Sequence, residues 1–144
     1  MFRDASEYAY STSAYLRLSD NHGDQAHYSF VFGKCRNAPL RGPTIPRLEL
    51  TASLMAVRTS NLIRAELDLP IDCIVFCTDT PTVPQYIKNK TRRFNRFIFT
   101  RLEEILEHTT PNQWHHVPGI LNPADDGSRG MPIEALNPRC RWWT

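Results

Sequence analysis

Two hydrophobic rhythms share this chain, and the change from one to the other constrains its fold most. From Tyr8 to Leu18, and again from Ala26 to Cys35, aromatic, hydroxyl and small residues alternate at the period of a strand. Ser19-Asp20-Asn21-His22-Gly23-Asp24 between them is a polar turn, so the two runs form an antiparallel hairpin or meander. A Pro/Gly-rich connector, Pro39 to Pro46, closes this half. From Pro46 to Leu67 the period is helical: Leu48, Ala52, Met55, Thr59 and Leu62 make a packing stripe, and Pro46 suits a first turn.

The second half alternates between the two rhythms. Ile71 to Cys77 is a short apolar run, expected as a buried strand with Asp79 just past its end. Pro81 to Lys88 predicts a short helix, with Pro84 near its first turn. Phe94 to His108 predicts an amphipathic helix carrying Phe94, Ile98, Leu102 and Ile105 on one side. Gln113 to Val117 reads as a last strand, and Asn122 to Arg129 as a final short helix or turn. With Asp4 on a first strand, the order is three strands, helix, strand, helices, strand, helix. A meander followed by crossovers implies an α/β fold. Its sheet is mixed and five-stranded, three antiparallel strands and then parallel ones, flanked by helices.

A chain of 144 residues, 41% hydrophobic and 22% charged, supports one domain with a real core. No apolar run has the length of a membrane helix and no signal-peptide pattern opens it, so no membrane partner is expected. The net charge of +2 is too small to select a partner. The four cysteines form no Cys-x-x-Cys pair, and only His115-His116 approaches a zinc pattern, so zinc is not expected. Cys73 and Cys77 fall on one face of the predicted strand and read as small buried hydrophobes. The thiols fit a reducing compartment. The opening Met1-Phe2-Arg3 leaves little lead-in to Asp4, and the chain reads as a piece of a longer protein.

Four carboxylates stand where elements begin or end: Asp4, Glu49 in Pro-Arg-Leu-Glu-Leu, Asp79 in Cys-Thr-Asp-Thr, and Asp125 in Asn-Pro-Ala-Asp-Asp. If the first and fourth strands are neighbours, Asp4 and Asp79 converge, and the long helix can bring Glu49 over them. Clustered carboxylates repel one another unless cations neutralise them, and all-oxygen ligands favour magnesium or manganese. Two such ions about 3.5–4 Å apart activate a water and stabilise the leaving oxygen of a phosphodiester. Any one of the four, alone, is an ordinary cap or loop carboxylate. Asp126 is read that way, as a solvated neighbour of Asp125.

The same segments carry a family resemblance. Asp4-Ala5-Ser6, Thr44-Ile45-Pro46-Arg47-Leu48-Glu49-Leu50, Glu66-Leu67-Asp68-Leu69-Pro70-Ile71, Thr78-Asp79-Thr80, Gln85-Tyr86-Ile87, Arg93-Phe94, Trp114, Val117-Pro118-Gly119, Leu121-Asn122-Pro123-Ala124-Asp125 and Ser128-Arg129-Gly130 carry it. Together they resemble the ribonuclease H-like domain of BEL/Pao-type LTR retrotransposon polyproteins. The resemblance implies a four-carboxylate nuclease using two Mg2+, or Mn2+, with Asp4, Glu49, Asp79 and Asp125 as catalytic metal ligands. It implies a place beside the reverse transcriptase and integrase regions of one polyprotein, in a cytoplasmic virus-like particle. Its substrate would be the RNA strand of an RNA–DNA hybrid. Residues 1–130 would be the domain and 131–144 a tail leading toward a further region, with Arg141-Trp142-Trp143 starting that link. Thr80 stands where the family often has Ser, and Pro81 and Pro84 where Thr and Leu are usual. Pro118-Gly119-Ile120-Leu121 fills the stretch where many ribonucleases H have a mobile His, so neither His115 nor His116 is assigned as catalytic.

For the substrate, Lys88, Lys90, Arg92, Arg93, Arg96 and Arg101 crowd one segment and make a phosphate-binding candidate. Arg129 reaches a phosphate or pairs with Asp126. Ser6, Thr80 and Asn89 are lesser candidates for contact with the strand, and Trp142-Trp143 either stack on bases or pack in the protein. RNA selectivity would rest on 2′-hydroxyl and shape contacts. Two other readings stand beside this one. A weakened ribonuclease H-like scaffold would bind nucleic acid without cutting it. An aspartic peptidase would need a Gly where Pro81 follows Asp79-Thr80, so it is disfavoured.

Overall fold

The computed structural model describes residues 1–19, 26–89 and 93–143. Most of the predicted turn, and Lys90 and Arg92, lie outside the described residues. The elements are β1 (Phe2–Ala5), β2 (Ala9–Ser19), β3 (Ala26–Asn37), α1 (Ile45–Glu66), β4 (Phe76–Thr78), α2 (Thr82–Lys88), α3 (Arg96–His108), β5 (Trp114–His116) and α4 (Ala124–Arg129). The five strands form one mixed sheet in the order β3-β2-β1-β4-β5. β1 pairs antiparallel with β2 and parallel with β4, β2 antiparallel with β3, and β4 parallel with β5.

β2 and β3 run as a long ladder from Ala9↔Asn37 to Ser19↔Ala26, shifted in register between Ala14 and Tyr15. The expected strand from Ile71 forms only over Phe76–Thr78. β1 begins at Phe2 and supplies β4 with a single registered pair, Phe2↔Cys77. Before Phe76 the backbone is held outside the ladder: the Met1 nitrogen donates to the Val75 carbonyl at 2.8 Å and Gln113 Nε2 to the Ile74 carbonyl at 3.0 Å. Cys73 accordingly lies exposed outside the strand rather than buried within it.

α1 packs with both the sheet and α3, so Leu48 to Val57 is buried except for the half-buried Thr51. The stripe ends early: Leu62 is 51% exposed. The main core joins Leu50, Leu54 and Val57 of α1 to Phe76, Val83, Ile87, Leu102, Ile105 and Trp114. Phe76 and Trp114 stack with ring centroids 4.7 Å apart, which locks the β4–β5 pair. Pro84 costs α2 little, because it sits in the first turn, where a backbone N–H has no intrahelical acceptor. α3 starts at Arg96, two residues later than the periodicity suggests, because the Asn95 side chain accepts from the Ile98 N–H at 3.1 Å and caps it.

Helices cover both faces of the sheet. Side chains alternate along β1: Ala5 packs with Leu48 and Ala52 of α1, while Asp4 meets Ser128 of α4. Among the described residues no helix is long and apolar enough to cross a membrane.

The chain after α4 is not a free tail. Arg141 donates to both carboxylate oxygens of Asp126, at 2.7 and 2.5 Å, and Trp142 donates to Oδ2 at 2.9 Å. The Trp142 ring lies 5.2 Å from that of Phe30 on β3. Asp126 is therefore an anchor for residues 141–142, not the solvated neighbour expected, and Trp142 packs within the protein.

Candidate functional site

The topology brings three carboxylates together. β1 and β4 are adjacent and parallel, so Asp4 near the end of β1 and Asp79 just after β4 stand at the same end of the sheet. Glu49 lies in the second turn of α1, whose start is set by Pro46 and by the Arg47 and Leu48 N–H bonds to the Thr44 carbonyl. One oxygen from each of Asp4, Glu49 and Asp79 lies within 4.8 Å of the others. Asp4 and Glu49 are both 2% exposed.

Ser128 donates a short hydrogen bond to Asp4 Oδ2. Burial raises the pKa of Asp4 above the usual carboxylate value; the Ser128 bond opposes this, and the charges of Asp79 and Asp125 add to it. Asp79 Oδ1 is buried and has no hydrogen-bond partner among the described residues. The approach to Asp79 is tight on one side, where a Cβ on Gly119 would lie 3.3 Å from Asp79 Oδ2. On another side a His116 ring nitrogen lies 3.1 Å from the Asp79 carbonyl oxygen.

A cation stands inside the cluster. Arg3, 0% exposed, is ion-paired through Nη1 with Glu49 Oε2, and its Nη2 donates to Thr80 Oγ1 at 3.3 Å. Thr80 Oγ1 in turn donates to Glu49 Oε2 at 3.2 Å. Burial pulls the pKa of Arg3 down to about 10, while the charges of Asp79 and Asp4 hold it up, so the guanidinium is charged at neutral pH.

Asp125 is drawn toward Arg129, which donates to its Oδ1 at 2.5 Å, with an Arg141 nitrogen 3.8 Å from Oδ2. It is near enough to Asp4 to raise the latter's pKa, but it is not one of the three convergent carboxylates. Arg129 thus pairs with Asp125, and Arg141 takes Asp126.

The substrate candidates separate into two groups. Lys88, Arg93 and Arg96 are exposed. Arg101 is not: its guanidinium lies 3.6 Å from the Phe97 ring centroid and donates to the Phe97 carbonyl at 3.2 Å. Ser6 is also withdrawn, 8% exposed and donating to the Ser128 carbonyl at 2.6 Å. Thr80 faces Arg3 and Glu49.

The family model described as the Pao retrotransposon-like RNaseH-like domain matches residues 1–80. This chain belongs to that family. The matched segment runs from β1 to just past β4 and contains Asp4, Glu49 and Asp79. No curated protein matches the chain. As a Pao RNaseH-like domain it has the ribonuclease H-like arrangement of mixed sheet and flanking helices, and it is a ribonuclease H-like module of a retrotransposon.

The sequence of this Pao RNaseH-like domain gave Arg3 no role, and gave Asn122 and Ser128 none beyond their place in the family resemblance. Alternation along β1 held the signal for Arg3: if Asp4 faces one side of the sheet, Arg3 faces the other, where α1 carries Glu49. Asn122 before Pro123 is a turn-forming pattern, and its Oδ1 accepts from the Ala124 N–H two residues on, at 3.2 Å. The Ser128–Asp4 bond spans 124 positions and has no local signal.

Proposed function

We propose that this domain is a metal-dependent endonuclease that hydrolyses the RNA strand of RNA–DNA hybrids during reverse transcription of a retroelement. The convergence of Asp4, Glu49 and Asp79 carries this reading, set in a family of ribonuclease H-like domains. The donor set is all oxygen and suits Mg2+ or Mn2+. The partnerless, buried Asp79 Oδ1 is an acceptor that a cation would satisfy.

Asp4, Glu49, Asp79 and Asp125 would hold the ions. Bound there, two divalent ions supply positive charge to the attacking and leaving oxygens of the phosphodiester. The protein's own groups position the site. Ser128 fixes the orientation of Asp4, Thr80 holds Glu49, and Asn122 ties the start of α4 to β1. Lys88, Arg93 and Arg96, exposed on and before α3, offer charge to the phosphate backbone. Lys90 and Arg92 belong to the same run in sequence. The partners in this reading are the reverse transcriptase and integrase regions of the same polyprotein, within a retroelement particle.

Substrate class is tested with a labelled RNA strand annealed to DNA, the same RNA alone, and a DNA duplex, with Mg2+ or EDTA. The expected result is EDTA-sensitive cleavage of RNA in the hybrid only. Cleavage of all three, or of none, contradicts the reading.

A second reading, a nucleic-acid-binding module without catalysis, is favoured by one observation: Glu49 is already ion-paired with Arg3. It predicts hybrid binding with a steep salt dependence and no cleavage in either metal.

A further inference from the structure

We propose that Arg3 is a built-in counter-cation of the carboxylate cluster, one that occupies Glu49 and must give way before a divalent ion can use that carboxylate. The inference rests on the metal-site reading above and concerns how that site is controlled.

Arg3 is buried beside the cluster rather than extended over a surface. A guanidinium carries five N–H donors. Here Nη1 is ion-paired with Glu49 and Nη2 donates to Thr80, but neither Nη1 nor Nε has a hydrogen-bond partner among the described residues. A buried ion pair adds to stability only when its donors are satisfied, and this one leaves two nitrogens without an acceptor. The arrangement is therefore poor as a purely structural clamp. It is well placed electrostatically, because Glu49 Oε2, the atom it holds, belongs to a residue within 4.8 Å of Asp4 and Asp79 through its carboxylate.

A divalent ion among those oxygens would lie within a few ångströms of the guanidinium. Like charges that close repel strongly in a buried setting. The ion and Arg3 therefore exclude one another at Glu49. Asp4 and Asp79 remain for an ion that arrives while Arg3 is in place. Arg3 thus sets the metal affinity of the domain without touching substrate, as a positioning and tuning residue.

The test is Mn2+ binding to the full chain by titration calorimetry, comparing wild type with Arg3→Gln. Removing the competing charge is expected to tighten Mn2+ binding by about tenfold or more, equivalent to about 1.4 kcal/mol. Equal or weaker binding by a folded Arg3→Gln protein overturns the inference. Arg3→Gln leaves Glu49 buried without its partner, so a second variant guards against misfolding. In Arg3→Gln/Glu49→Gln a ligand and a repelling charge go together, and Mn2+ affinity should stay within about threefold of wild type. A loss of more than about tenfold in that double variant would show Glu49 to be an uncontested ligand and overturn the inference. Hybrid cleavage separates this from the nuclease reading. Tighter Mn2+ binding by Arg3→Gln with no cleavage by either protein sustains the inference and removes the nuclease. Cleavage by wild type with unchanged Mn2+ affinity in Arg3→Gln does the reverse.

Discussion

The side-chain amide of Asn122 donates to the backbone carbonyl of Arg3 at 3.1 Å, and this bond fastens the segment carrying Asp125 to the strand carrying Asp4. Asn122 is 0% exposed, and its Oδ1 also accepts from Ala124 N–H. Asn122→Asp keeps the acceptor but loses the donor, leaving the Arg3 carbonyl without this bond. It should cost about 1–3 kcal/mol of stability, read as a lower urea midpoint with unchanged slope. Asn122→Ala, which loses both bonds, should cost at least as much. A midpoint unchanged by either substitution would show that the bond does not hold α4 in place.

Gly127 sets how closely α4 lies on the sheet. A Cβ there would meet Ser11 Cβ at 2.8 Å and Oγ at 3.0 Å. Ser11 cannot easily move aside, since its hydroxyl donates to the Ala124 carbonyl and it is 1% exposed. Gly127→Ala should destabilise the domain by about 1–3 kcal/mol and push Ser128 away from Asp4. Thermal melts check the first effect and hybrid cleavage the second. A variant as stable and as active as wild type would mean that the helix shifts freely.

Acid should release the chain end from α4. Burial alone would raise the pKa of Asp126, but the hydrogen bonds from Arg141 and Trp142 and the charge of Arg141 outweigh it, so the pKa is lowered. A lowered carboxylate pKa contributes stability that is present above the unfolded value, about 4, and lost as pH falls through the folded one. Trp142 fluorescence should therefore change below about pH 4. Asp126→Asn should show the released signal already at neutral pH. An acid transition of the same size in Asp126→Asn would assign it to another group.

A Cβ added at Gly119 would lie 3.3 Å from Asp79 Oδ2, and Gly119 itself is exposed. Gly119→Leu should therefore leave the melting temperature nearly unchanged while crowding Asp79 Oδ2. Misplacement of a reacting group by about 1 Å costs up to about a hundredfold, so cleavage of the hybrid should fall about ten- to a hundredfold. Full activity in this variant would place the working geometry of Asp79 elsewhere.

The order of elements was legible in the sequence because each has its own period, cap or proline. So was the convergence of Asp4 with Asp79, because a parallel β1–β4 pair sets the ends of those strands side by side, and Glu49 comes to them from α1. What was not legible depends on contacts between distant residues. The apolar run from Ile71 looks like a strand, yet before Phe76 its backbone is held outside the ladder, by Met1 and by the Gln113 side chain. Asp126 looks like a solvated acid until Arg141 and Trp142 return to it. Alternation along β1 turns Arg3 to the face opposite Asp4, but only the packing of α1 on β1 places it against Glu49. Arg101 belongs to a basic run in sequence, but its side chain turns onto Phe97.

The central claim is that the convergent carboxylates form a working nuclease site. It is tested most directly by cleavage of a labelled RNA–DNA hybrid in Mg2+ and then in Mn2+, comparing wild type with Asp79→Asn at equal folded concentration. The account predicts that wild type cuts the RNA strand and that Asp79→Asn loses at least about a hundredfold in rate. Equal cleavage by both proteins, or none by either while both bind the hybrid, would contradict it.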